Sequence, residues 1–343
     1  MTIAVIGEVL VDLAWRTGGA HIAPHPGGSP ANVAVGLHRL GRPATLMTCW
    51  GDDPPGELLR AHLDSIGVEV HRLPSASGRT TIALAYLDDA TGSARYDFLA
   101  TWDPLDIPIP PRSTLVHTGS LAAVVEPGAT RIVEACHARR GQPGHAVSVD
   151  LNVRPAVLPD RNAYRTRAER LATAADLVKA SDEDLAWLYP HLTPEAAGQA
   201  LLALGPRLVV ITRGAQGATA LTTRHEISVP APRTHVVDTI GAGDAFQASL
   251  LDALLQPDGT VHIPTTPTEL ETVLHRCAIA GALTCARAGA QPPTGEEITA
   301  AQAALRSSPS PTGSTQLPMP GTSPSRGTGP RVPAQEEPAR TEV

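Results

Sequence analysis

The sequence predicts an α/β protein: a mostly parallel, doubly wound central sheet carrying a small β-strand lid. Short apolar runs alternate along the chain with helical segments, the pattern of such a sheet. The runs end in polar or small residues, which puts chemistry-bearing side chains along one sheet edge. An alternating run rich in Thr, Ile and Tyr and a second run that returns beside it interrupt the alternation as a hairpin, and a hairpin inserted there can close over a site.

Thr2 to Ile6, ending in Gly7, reads as a buried first strand, so Gly7 to Asp12 lies at its carboxyl end. Gly27 and Gly28 then precede a helix with Asn32 in its first turn; Val33, Leu37 and Leu40 share a face and Gly41 stops it. Ala44 to Trp50 is a second strand, followed by a helix from Gly56 to Ile66 that Gly67 ends. Arg79 to Leu87, the turn DDATG (Asp88 to Gly92) and Ala94 to Leu99 form the hairpin. Leu115 to Thr118, Ala146 to Asp150, Leu177 to Lys179 and Leu208 to Thr212 are further strands. Helices fall near Gly128 to Ala138, Tyr164 to Ala174, Asp182 to Leu188 and Pro194 to Ala203. A helix after Asp244 runs to about Leu255, a second covers Glu269 to Ala288, and a last one ends near Leu305. From Arg306 to Val343 the chain turns to Ser, Pro, Gly and Thr with no apolar periodicity, which predicts a disordered tail.

A net charge of −7 and a pI near 6.0 offer no basic field for nucleic acid. The start of the chain lacks a positive flank and carries Glu8 and Asp12, so it reads as a strand rather than a signal peptide, and no stretch suits a membrane span. Cys49, Cys136, Cys277 and Cys285 form neither a CxxC pair nor a dense framework, which fits reduced thiols in a cytoplasmic protein. Lys179 is the only lysine, a scarcity that composition alone reads as genomic and of little functional weight.

The stretch DTIGAGDAF, from Asp238 to Phe246, opens a helix. Gly241, Ala242 and Gly243 leave the backbone unobstructed, so successive N–H groups at the helix start can turn toward a phosphate. Asp244 would repel that phosphate unless it takes a proton from the group attacking it, which points to phosphoryl transfer to a hydroxyl. A glycine-rich turn with Asp244 complementing the helix dipole accounts for the same residues. A P-loop is excluded, because Lys179 follows Val178 rather than glycine, and neither GxGxxG, HExxH nor GxSxG occurs in a fitting context.

The blocks GGSPANVAVGLHRLG (Gly27 to Gly41) and DTIGAGDAF, with SVDLNVRP, VKASDEDL, ITRGAQGA and ARAGAQPPT between and after them, resemble the signatures of the ribokinase-like, or PfkB, carbohydrate kinases. The resemblance spans about residues 1 to 305 and implies a three-layer α/β/α kinase domain, with a lid from about 12–25 and 79–103 and the tail from 306 to 343 outside it. It implies Asp244 as the catalytic base and Gly241, Ala242 and Gly243 as the anion hole. Asp12, Gly27, Gly28 and Asn32 would bind sugar, with Arg154 suited to an anionic or ring-hydroxyl acceptor. Ser181, Thr212, Gly214, Gly217 and Gly243 would face the nucleotide. Asp238, the Ile240 carbonyl and the loop near Gly289 would hold a monovalent cation, K⁺ by expectation.

Two positions depart from the family pattern. Where many members carry Asn-x-x-Glu to organise Mg²⁺-bound water, this chain has Ser181 and Asp184, a shorter carboxylate that needs a bridging water. Pro293 stands where a cation-site hydroxyl is common. The implied activity is ATP-dependent, Mg²⁺-supported phosphorylation of a sugar hydroxyl. The wording of the blocks is most similar to fructokinase-like and 2-keto-3-deoxygluconate kinase-like members, with ribose or a nucleoside as the other acceptor. A catalytically silent sugar-binding relative is the non-enzyme alternative, against which Asp244 argues. A lid-mediated homodimer is a further expectation.

Overall fold

In the computed structural model, residues 2–16, 18–87 and 94–307 are described. The turn predicted at Asp88 to Gly92 and the tail from 308 onward lie outside them. Nine strands form the main sheet: β1 (Thr2–Ile6), β4 (Ala44–Thr48), β5 (Glu69–Arg72), β8 (Ser113–Gly119), β9 (Ala146–Asp150), β10 (Leu177–Ser181), β11 (Leu208–Thr212), β12 (Ala218–Leu221) and β13 (Glu226–Val229). Their order is β13-β12-β11-β10-β9-β8-β1-β4-β5, parallel from β11 to β5, with β12 and β13 turning back antiparallel. The inner strands are buried on both faces, which is why they read as continuous apolar runs.

Helices cover both faces. On one side α3 (Gly128–Arg139), α4 (Arg161–Ala172), α5 (Asp182–Leu188) and α6 (Pro194–Ala203) bury Ile132, Leu171, Leu185 and Leu201 against the sheet. On the other lie α1 (Ser29–Arg39), α2 (Pro54–Ile66), α7 (Ala242–Leu254) and α8 (Pro267–Cys285), burying Leu37, Leu63, Leu250 and Leu274. Helix α9 (Gly295–Ser307) packs Ile298 and Ala301 on the far end of α8. The result is the predicted three-layer α/β/α arrangement.

Local chemistry sets the ends. Asp53, Asp160, Thr193 and Thr266 each accept a first-turn N–H as caps, and Gly67 ends α2 in the left-handed conformation. These caps correct three expected boundaries: α2 starts at Pro54 rather than Gly56, α4 starts at Arg161 behind Asp160, and α8 runs from Pro267 to Cys285.

The lid is a second sheet of β2 (Leu10–Arg16), β3 (Ile22–Gly27), β6 (Thr81–Leu87) and β7 (Ala94–Leu99), ordered β3-β2-β6-β7. It is mixed: β2 pairs β3 antiparallel but β6 parallel. Side chains alternate between its faces. Asp12, His25, Tyr96 and Phe98 point one way; Trp15, Ile22, Tyr86 and Leu99 point the other. Among the described residues no helix is long and apolar enough to cross a membrane. All four cysteines are free, three of them buried.

Candidate active site

The site forms where α7 begins. Gly241 caps the helix in the left-handed conformation (φ 75°), and a Cβ there would lie 2.6 Å from the Ala290 Cβ, so only glycine fits. No side chain caps this end. The Ala242 N–H donates to the Thr239 carbonyl at 3.2 Å and closes the turn, whereas the Gly241 and Gly243 N–H groups have no partner among the described residues. Two free amides at a helix N-terminus form a receptor for an anion.

Asp244, one residue on, is half-buried. Its Oδ1 accepts the Ser29 hydroxyl at 2.7 Å and its Oδ2 accepts the Asn32 side-chain amide at 2.8 Å. The first turn of α1 therefore grips the first turn of α7 through this carboxylate. Burial pushes the Asp244 pKa up; the Ser29 and Asn32 hydrogen bonds pull it back. This carboxylate faces α1.

Of the predicted sugar residues Asn32 touches it directly, and Asp12 and Arg154 interact with each other. Asp12 sits on β2 opposite His25, and a Cβ on Gly27 would lie 2.5 Å from its Oδ2, so the glycine makes room for the carboxylate. Burial raises the Asp12 pKa to about 6 against the opposing charges of Arg154 and His25. Gly28, at φ 108°, precedes α1, and a side chain there would meet the Glu8 carbonyl oxygen at 2.8 Å. Arg154 is exposed; its Nη1 donates to the Val153 carbonyl at 3.0 Å, and its backbone N–H donates to the Tyr164 hydroxyl at 2.9 Å. Asn152 (φ 37°) and Ser120 (φ 54°) are the two non-glycine residues with left-handed backbone among those described, and they meet at 3.4 Å. Strain of this kind collects at functional edges.

Gly243 apart, the predicted nucleotide residues stand at the ends of β10 and β11 on the same edge. Ser181 ends β10 in register with Thr212, which ends β11. Gly214 begins a short 3₁₀ turn, and Gly217 (φ 98°) leaves it so close to β13 that a Cβ would be 1.9 Å from the Val229 carbonyl. Among the described residues none of Thr212, Gly214 and Gly217 hydrogen-bonds to the Asp244 cluster. Ser181 and Asp184 form a capping box: Ser181 Oγ accepts the Asp184 N–H at 3.0 Å, and Asp184 Oδ2 accepts the Ser181 N–H at 2.9 Å. Asp184 Oδ1 accepts the Val153 N–H at 2.8 Å. With both oxygens so engaged, Asp184 fits a metal only through water.

Asp238 likewise spends both oxygens on backbone, accepting the Ile240 N–H at 3.0 Å and the Gly289 N–H at 2.8 Å. It bridges the loops on which a cation would rest, and carbonyl oxygens would have to complete the ligand set. Among the described residues no group of three or more His, Cys, Asp and Glu side chains is placed to hold a metal ion.

Sequence reasoning passed over two features. Ser29 lies within the quoted block one turn before Asn32, and that spacing was the available signal. The other is a buried ion pair: Lys179 Nζ donates to Asp150 Oδ2 at 2.6 Å, both residues under 5% exposed.

The chain belongs to the pfkB family of carbohydrate kinases, whose profile matches residues 2–297. It is therefore an ATP-dependent sugar kinase by class, of the fructokinase-like branch. It is 34% identical to a fructokinase of Rhizobium leguminosarum bv. trifolii over 72% of this chain and 78% of that one. It is 31% identical to fructokinase-1 of Zea mays over 85% of this chain and 94% of that one. A fructokinase double mutant of Vibrio cholerae O395, solved with fructose, ADP and potassium ion, superposes with a TM-score of 0.73 at 27% identity, covering 87% of this chain and 97% of that one. Aminoimidazole riboside kinase of Salmonella enterica, solved with aminoimidazole riboside and an ATP analogue, superposes with a TM-score of 0.74 at 27% identity over 88% and 99% of the two chains.

Proposed function

We propose that this protein transfers the γ-phosphoryl group of ATP to a hydroxyl of fructose or a closely similar ketose. The observation that carries the reading is Asp244: a half-buried carboxylate at an open helix N-terminus, held from the sugar side by Ser29 and Asn32. Asp12, Asn32 and the backbone at Gly27 and Gly28 orient the acceptor. Asp244 takes the hydroxyl proton as the oxygen attacks the γ-phosphorus; the bond to the β,γ-bridging oxygen breaks and ADP departs with its electron pair. The free Gly241 and Gly243 amides receive charge on the phosphoryl oxygens, while the Ala242 N–H, expected to join them, closes the turn instead; Ser181, Thr212, Gly214 and Gly217 border the nucleotide. Mg²⁺ would neutralise phosphate charge, with Asp184 orienting one of its waters. Asp238, the Ile240 carbonyl and the Gly289 loop would seat K⁺ beside the hole. The enzyme is read as cytoplasmic, and as a homodimer joined through the outer face of the lid, where Ile22 and Leu99 are exposed.

A ribosyl acceptor is the second reading, favoured by the equal likeness to aminoimidazole riboside kinase. Coupled ADP release measured over fructose, 2-keto-3-deoxygluconate, ribose and a nucleoside decides between them. Fructose should give the highest kcat/KM. A nucleoside in first place would overturn the choice of acceptor, and no sugar-dependent turnover on any would favour a silent sugar-binding protein.

A further inference from the structure

The strands under α7 carry polar side chains where the rest of that layer is apolar. His117 on β8, Ser148 and Asp150 on β9 and Lys179 on β10 lie in neighbouring register positions beneath Gln247 of α7, which donates to Ser148 Oγ at 3.0 Å. Lys179 is the chain's only lysine, and it is 4% exposed. A lysine is seldom so buried, and an apolar pair of similar volume would hold the layers together at least as well. Packing therefore does not explain the ammonium. The cluster is not self-satisfied either, since Asp150 Oδ1 and Gln247 Oε1 are buried without a partner.

The position of Lys179 supplies a reason. A Cβ built on Gly243 would lie 3.9 Å from Lys179 Nζ, with no other atom outside its own helix turn and chain neighbours within 4 Å. The ammonium thus lies beneath the first turn of α7, next to Gly243, where no side chain stands over it. Asp150 balances the charge of the ammonium but takes only one of its three N–H donors, and no second acceptor reaches Nζ among the described residues.

We propose that Lys179 is a further catalytic residue: held by Asp150, its ammonium donates through the gap at Gly243 to an oxygen of the phosphoryl group in transfer. The inference rests on the kinase reading above. Asp150 is a positioning residue that fixes the ammonium and limits its other contacts.

The test uses the full chain as parent, Lys179→Met, and Lys179→Met/Asp150→Asn, the last removing both charges in case the single variant is unstable. Melting temperature, ADP affinity, affinity for ADP with aluminium fluoride, Mg²⁺ and fructose, and kcat are measured on each. A donor specific to the transferring group is worth about 10²–10³ in rate, so kcat should fall about a hundredfold or more. The aluminium fluoride complex should weaken at least about tenfold while ADP affinity stays within about threefold, in both variants. Equal weakening of both nucleotide complexes, or a stable double variant with kcat within about fivefold of the parent, would show a structural ion pair only. A parent that turns over no sugar overturns the kinase reading, whereas an active parent with unaffected variants overturns the role of Lys179 alone.

Discussion

Asp244 concentrates the chemistry in one carboxylate. A positioned base is worth roughly 10²–10⁴ in rate, so Asp244→Asn should lower kcat at least about a hundredfold while sugar affinity and folding change little. A fall in melting temperature with kcat within about tenfold of the parent would make it a helix cap instead. Ser29→Ala removes one of the two hydrogen bonds that favour its ionised form. The acid limb of the kcat profile should then move to higher pH, because the base protonates more readily; an unmoved limb would separate Ser29 from the base. Asp244 was legible as a candidate because it follows a glycine-rich helix start, and Asn32 because its block resembles a family signature. Their direct hydrogen bond was not, since it joins residues more than two hundred positions apart. The Lys179–Asp150 pair was not legible for the same reason: it comes from strand register and layer packing, which composition does not record.

Helix ends are the elements most readable from local sequence. Asp182–Leu188 and Pro194–Ala203 fall where predicted because Ser181 and Thr193 are caps visible in the chain. Thr266 and Glu269 make the same capping box at α8, whose Pro at the first turn sets its start. Thr266→Ala should cost about 1 kcal/mol, read as a lower melting temperature. Glu269 is held down to about 2 by the Thr265 and Thr266 N–H groups and the Thr266 hydroxyl, so its share of the cap persists above about 4.5 and is lost as pH falls toward 2. An unchanged melting temperature in the variant would mean that α8 is set by packing alone. The main-sheet strands that went unread are short and at or near an edge. Glu69–Arg72 is largely exposed at the end of the sheet, and Ala218–Leu221 and Glu226–Val229 exist because they fold back on β11.

Across the molecule, the site costs stability. Asp12 has its carboxyl raised from 3.8 to about 6 by burial, so between those values the folded chain holds a proton the unfolded chain has released. Its contribution to stability is fully present below about 3.8 and is lost as pH rises through about 6. Glu8, buried with one oxygen unpartnered and raised to about 7, acts in the same direction. Asp12→Asn should therefore raise stability at pH 7.5 by about 1–3 kcal/mol and weaken sugar binding, with the gain vanishing near pH 4. A gain that does not vary with pH would remove burial of the charge as its cause. The proposed dimer belongs to the same scale: Leu99→Glu, on the outer lid face, should halve the sedimenting mass without unfolding the kinase layers. An unchanged mass would leave that face without a partner role.

The mixed pairing of the lid bears on how acceptor choice can be altered. Strands β2 and β3 are spliced between β1 and α1, β6 and β7 between β5 and β8, and the halves meet only along β2 and β6. A chimera that grafts one contiguous segment from a relative imports half a lid and leaves a foreign seam. Changing the acceptor by exchange of parts calls for two simultaneous grafts whose facing strands match residue for residue from Leu10 opposite Thr81 to Arg16 opposite Leu87.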